Sequence, residues 1–198
     1  AREEDLPCVL LARQHGPGGI SMVGMDNVAG AQTATAHLLE AGHRSIALLG
    51  GDEHYDYTEL RIEGYRKAMS AQGYSPEIHL GTGDQAARSL LAAHRGETPL
   101  PSAVFFINDE HALKGLPILI EYGIRIPQDM SVIGFDDSDN ALQCIPPLTT
   151  IRVPRFLIGK LAGRTILDHI RYPELDVISI LLQTELISRQ SVLPRKGR

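Results

Sequence analysis

The side chains best suited to chemistry stand just beyond short apolar runs. Asp136, Asp137 and Asp139 follow "SVIGF", Asn108 and Asp109 follow "AVFFI", and "GGDEHYDY" with His54, Tyr55 and Tyr57 follows "SIALL". Arg13 closes the run "LLAR", and Arg61 opens "RIEG". Arginine offers forked donors, Asp136 a bidentate acceptor and Asn108 both roles, while the tyrosines and His54 offer flat faces. Planar polar groups against vicinal hydroxyls, with a ring against a sugar face, make a carbohydrate site; bonds to charged partners there contribute roughly 1.5–3 kcal/mol each. Other readings stay open. Arg61 can be a helix-surface residue, the tyrosines ordinary loop packing, and Asp109 the cap of its following helix.

Catalytic patterns are missing. There is no GxxxxGK[ST], no GxGxxG after a strand, no GxSxG and no HExxH. None of the eight histidines stands four residues from another, which removes the commonest helical metal pair. "DDSDN" has the acids of a calcium loop but neither its sixth-position glycine nor its twelfth-position glutamate. Asp136 and Asp137 as a hydrolytic pair is disfavoured, because neighbours on a turn point apart. Neither an enzyme, a metal site nor a cofactor is expected.

The elements that must carry these residues alternate. Cys8–Leu11 and Ser21–Met25 read as strands, and Asp26 or Asn27 caps a helix ended by Gly42. "SIALLGG" shows no alternation and so is a strand buried on both faces. Helices follow through Leu60–Met69 and from Asp84 to His94, then the strand Ala103–Ile107 and a helix from Asp109 towards Gly123. Pro117 inside that last helix predicts a kink or an early stop, since it removes a donor and crowds the Leu113 carbonyl. "SVIGF", a long helix after Pro154, "VISILL" and "TELIS" complete the order. Strand–helix alternation with continuous apolar strands is the signature of an α/β fold with parallel sheets. In such sheets ligands bind beyond the carboxyl ends of the strands, which gathers the loops after "SIALL", "AVFFI" and "SVIGF" on one rim.

The totals agree with that class. A chain of 198 residues, 43% apolar, can bury a substantial core. A formal net charge of −5 argues against these residues gripping a phosphate backbone alone. The basic end Pro194–Arg198 reads as a solvated tail. Two distant cysteines, Cys8 and Cys144, fit a reducing compartment, and no apolar run reaches the roughly 18–20 residues that cross a bilayer.

Several stretches together carry a resemblance. "DNVAGAQTATAHLLEAGHRSIALLGG", "RIEGYRKAM", "INDEHALKGLPILIEYGIRIPQDMSVIGFDD", "PPLTTIRVP" and "TELISRQSV" occur in this order over nearly the whole chain. They resemble the effector-binding core of the LacI/GalR family of bacterial transcription regulators. The resemblance implies two Rossmann-like subdomains of periplasmic-binding-protein type, joined by three crossovers, with a small-molecule effector, a sugar or related polar molecule, in the cleft. It implies an incomplete N-terminal subdomain from 1–25 and 154–182 and a C-terminal subdomain from 26–151 and 183–198. Effector contacts carry over to Arg13, Tyr55, Tyr57, Arg61, Asn108 and Asp136. Ala12 stands where the family often has Asp. The resemblance further implies a homodimer whose face includes Leu113, Leu142 and Cys144. It implies a cytoplasmic protein, with no membrane partner, that binds DNA only through a helix-turn-helix head absent from this chain. A periplasmic sugar-binding protein of a transport system is the alternative, and "PPLTT" and "IPQDMSVIGFDD" favour the regulator.

Overall fold

The computed structural model describes residues 7–12, 19–52, 54–96 and 98–195. In chain order the elements are β1 (Val9–Leu11), β2 (Ser21–Met25), α1 (Asn27–Glu40), β3 (Ile46–Leu49), α2 (Asp56–Ala71), β4 (Glu77–His79) and α3 (Gly83–Ala93). They continue with β5 (Ala103–Phe106), α4 (Asp109–Glu121), β6 (Ser131–Ile133), α5 (Asp139–Gln143), β7 (Thr150–Arg152), α6 (Arg155–Arg171), β8 (Ser179–Leu182) and β9 (Glu185–Ile187).

Two parallel sheets carry the fold, one ordered β1-β2-β8 and the other β4-β3-β5-β6, while β7 and β9 form an antiparallel ribbon. Both faces of the four-stranded sheet are covered. Ile46, Leu48 and Phe105 lie in one apolar cluster with residues of α1 and α2, and Ala47, Leu49, Val104 and Phe106 lie in another with residues of α3 and α4. This two-sided burial is why β3 and β5 are apolar at every position rather than at alternate ones. Tight helix contact sets the layer spacing. A Cβ at Gly64 of α2 would collide with the Val28 carbonyl of α1, so only glycine lets those helices meet there.

Three local expectations need correcting. The strand β4 is absent from the expected order, because Glu-Ile-His on a half-buried edge has no apolar signature. Pro117 does not stop α4, which runs on to Glu121; Pro117 is exposed, where solvent can serve a carbonyl left without its amide. The end of the chain is not a loose tail up to Arg195. Ser191 is fully buried and its hydroxyl donates to the Val132 carbonyl at 2.6 Å, Leu193 N–H donates to Ser131 Oγ at 3.0 Å, and Arg195 N–H donates to the Ala41 carbonyl at 2.6 Å.

Candidate functional site

The rim beyond β3, β5 and β6 is assembled around Arg61. This guanidinium projects from α2 and is only 3% exposed. Its Nε donates to Asn27 Oδ1 at 2.9 Å, one terminal nitrogen donates to the Ile107 carbonyl at 2.8 Å, and the other to Asp136 Oδ1 at 3.1 Å. Its carbon sits 3.7 Å from the centre of the Phe135 ring and 5.0 Å from that of Tyr57. Burial pulls its pKa below the ordinary value, against the opposing pull of the Asp136 carboxylate. Arg61 is thus a buried clamp joining α1, β5 and the loop after β6, rather than a surface residue.

That loop is unusual in its backbone. Asp136 and Asp137 are consecutive non-glycine residues at φ 108° and 49°, a region that costs an ordinary side chain energy. Their surroundings hold them there. Asp136 N–H donates to the Ile151 carbonyl at 2.7 Å. Asp137 accepts from Arg152 Nε at 2.7 Å and from Arg189 at 2.5 Å, tying the loop to β7 and to the segment after β9. Burial would raise the Asp137 pKa, but Arg189 and Arg152 hold the carboxyl below its ordinary range. One carboxylate is spent on the scaffold while its neighbour, partly exposed, keeps an oxygen for the cleft.

Asn108, not Asp109, caps α4. Its Oδ1 accepts from His111 N–H at 2.9 Å and from His111 Nδ1 at 2.7 Å. A backbone amide can only donate, so this oxygen is fixed and the Asn108 amide nitrogen is left to face the cavity. His111 therefore carries its proton on Nδ1, and burial lowers its pKa, keeping the ring neutral with Nε2 as an acceptor. Asp109 is fully buried and accepts from Thr150 Oγ1 at 2.6 Å and from Ser138 N–H at 2.8 Å. Burial pushes its carboxyl up to about 6. It ties the start of α4 to both the Asp136–Ser138 loop and β7.

These residues border a cavity of about 440 Å³, the size of an ordinary small-molecule site. Tyr57, Arg61, Asn108 and Asp136 supply its polar side. Met25 and Val153 supply apolar surface, and Arg155, Ile158 and Gly159 of α6 and Leu11 with Ala12 after β1 complete it. Four of the expected contact residues are brought together. Tyr55 is not among them: half exposed, it stacks on Tyr57 with ring centres 5.4 Å apart and borders a neighbouring cavity. Arg13 lies outside the described residues. Sequence reasoning missed Arg155, whose place directly after Pro154 at the start of the long helix was the available signal, and Asn27, one residue past the Asp26 cap. Among the described residues no group of three or more His, Cys, Asp or Glu could hold a metal ion.

Residues 35–192 match the family described as periplasmic binding protein-like domain. The chain belongs to that family. It is 35% identical over 176 residues to the transcriptional regulator CelR of Thermobifida fusca, across 87% of this chain and 52% of CelR. It aligns at a TM-score of 0.87 and 28% identity with a LacI family transcriptional regulator from Enterococcus faecium solved with bound ribose, covering 98% of this chain and 74% of that one. With a CelR–cellobiose complex the TM-score is 0.81 at 31% identity, covering 92% and 57%. The chain spans about half the length of the curated relatives it matches. The relatives it matches are transcriptional regulators, and the solved neighbour with ribose is a LacI family member, in line with the sequence resemblance.

Proposed function

We propose that this core binds a small polar effector, a carbohydrate, in the cavity beside Arg61, and that binding alters operator affinity in a longer protein carrying a helix-turn-helix head. The observation that carries the reading is the cavity itself. Asp136 presents an acceptor oriented by Arg61, Asn108 presents donors, and Tyr57 presents a flat face, within one space of about 440 Å³. Ribose and cellobiose in the regulators named above support the same ligand class.

The subdomain division at 1–25 with 154–182 and 26–151 with 183–198 belongs to this reading. Its support is that β1, β2 and β8 share one sheet while β3 to β6 share the other, with the cavity bordered from both sides. A ligand touching both sides binds a closed arrangement better than an open one, and only that difference can move a conformational equilibrium. The homodimer is part of the same proposal. Leu113, Cys144 and Ile145 line an apolar groove, and Leu142 beside it is 63% exposed. Cys144 is itself buried, with Sγ 3.3 Å from the Asn140 carbonyl, so it lends shape to that face rather than exposed surface. Relatives that are transcriptional regulators support a non-enzymatic, cytoplasmic role, and no helix among the described residues is long and apolar enough to cross a membrane.

The test is calorimetric titration of the full-length protein with a sugar panel, alongside operator gel shifts. A binding sugar changes operator affinity, and Asp136→Ala and Asn108→Ala each weaken sugar binding by about tenfold or more. Unchanged affinity in both variants removes the site assignment.

A further inference from the structure

A second cavity, of about 460 Å³, adjoins the first and shares Tyr57 with it. Asn108, which borders the first cavity, is hydrogen-bonded to His111, which borders the second. From this arrangement, and resting on the carbohydrate reading above, we propose that the second cavity is a subsite for a second, neutral sugar ring. The effector is then at least a disaccharide, with its glycosidic bond passing Tyr57.

The chemistry of the walls selects that class. His111 Nε2 is an acceptor without a partner among the described residues, because Nδ1 is committed to Asn108 Oδ1. Gln85 Oε1 accepts from Thr82 N–H at 3.0 Å, which fixes the amide and leaves its nitrogen to donate. Asp52 uses one carboxylate oxygen on His54 N–H at 2.9 Å. Leu80 and the stacked Tyr55–Tyr57 rings give apolar and flat surface. Separate donors, separate acceptors and an aromatic face suit a ring bearing hydroxyls on its edge and C–H groups on its faces.

An anionic substituent suits the cavity poorly. His111 is held neutral by burial, and Lys114, the one lysine on the wall, already lies 2.6 Å from Glu110. Asp52 on the same wall would repel an anion.

The test is calorimetry on the full-length protein with matched probes: glucose with cellobiose and maltose, galactose with lactose, xylose with xylobiose, and glucose 6-phosphate. The expected result is a disaccharide bound about tenfold or more tightly than its own monosaccharide. Tyr55→Ala and Gln85→Glu, the latter keeping the oxygen that caps Thr82, should each reduce that ratio by about fivefold. Equal affinity for one ring and two, or a ratio untouched by both variants, overturns the subsite while leaving the carbohydrate reading standing. Preference for glucose 6-phosphate overturns the neutral ring. Binding of no sugar at all overturns both the carbohydrate reading and the subsite.

Discussion

The two sides of the cavity are built to different standards. On the side of the four-stranded sheet, Arg61, Asn108 and Asp136 are fixed by bonds of 2.7–3.1 Å to their own scaffold. On the side of α6, Arg155 and Gly159 are exposed, and the Arg155 guanidinium reaches the Asp137 carbonyl only at 3.4 Å. The first side loses little freedom when a ligand arrives, and the second must still be ordered. Preorganisation of this kind places specificity on the rigid side and conformational response on the loose one.

The harshest way to break the contrast is Arg61→Ala. It leaves the Ile107 carbonyl and Asp136 without their buried partner and opens space between Phe135 and Tyr57. Asp136 is partly exposed and water can serve it, so the main cost is the buried Ile107 carbonyl left unsatisfied, and urea unfolding should show a loss of about 1–3 kcal/mol, with effector binding beyond detection. Arg61→Lys should recover little, because one ammonium cannot reach Asn27, Ile107 and Asp136 together. Near-normal stability in Arg61→Ala would mean the rigid side does not depend on it.

Asp136→Asn is a finer cut. Asparagine tolerates the positive φ of this position, so the loop should keep its shape while losing the charge that faces both Arg61 and the cavity. Loss of charge-assisted bonds of about 1.5–3 kcal/mol should weaken effector binding about 10- to 100-fold by calorimetry. An unchanged dissociation constant would show that Asp136 serves only Arg61.

Asp109 tests the scaffold behind that side through pH. Its folded pKa of about 6 lies above the ordinary carboxylate value, so between about pH 4 and 6 the folded state keeps a proton that the unfolded chain has lost. The Asp109 contribution to stability therefore falls as pH rises through this window and is flat above it. Asp109→Asn should gain on the wild type by about 1–3 kcal/mol from pH 4 to pH 7 in paired urea melts. A difference that stays constant with pH would show that Asp109 does not titrate there. Comparing variant with wild type also cancels Asp137 and Asp129, whose lowered pKa values give the opposite slope.

These same residues show what could be read before the fold was known. Most of the parallel strands, and the loops that border the cavity, were legible because continuous apolar runs that end in polar loops fit little besides parallel strands, and Asp136 and Asn108 were placed by that rule alone. Arg61 was legible as a donor but not as a buried clamp, since its stacking partner Phe135 lies 74 positions away in sequence and only the closed sheet brings them together. Asp109 and Asn108 are both competent caps, and local sequence does not choose between them. The choice is made by Thr150, 41 positions on, whose hydroxyl draws Asp109 inward. Glu77–His79 was illegible for a related reason: Glu77 is satisfied by His79 and His94, so the edge strand is held by polar contacts rather than by an apolar pattern.

The smallest expected effect falls on the loose side, at Arg155→Ala. This residue is exposed and begins α6, where a cation is unfavourable to the helix dipole, so its removal should leave unfolding stability within about 0.5 kcal/mol of wild type. It borders the cavity from the side of α6, across from Asn108 and Asp136, so its contact with a ligand bridges the two sides. On the proposed closure, effector affinity should fall modestly, about threefold to tenfold, and the response of operator binding to effector should fall with it, because contacts made across the cavity favour the closed state. Asn108→Ala makes the opposite pattern: its contacts are present in the open state too, so affinity drops while the ratio between bound and free operator affinity at saturating effector is kept. Measuring both variants by calorimetry and by operator gel shift separates recognition from response. If the two variants change affinity and response in the same proportion, the division of labour between the sides fails.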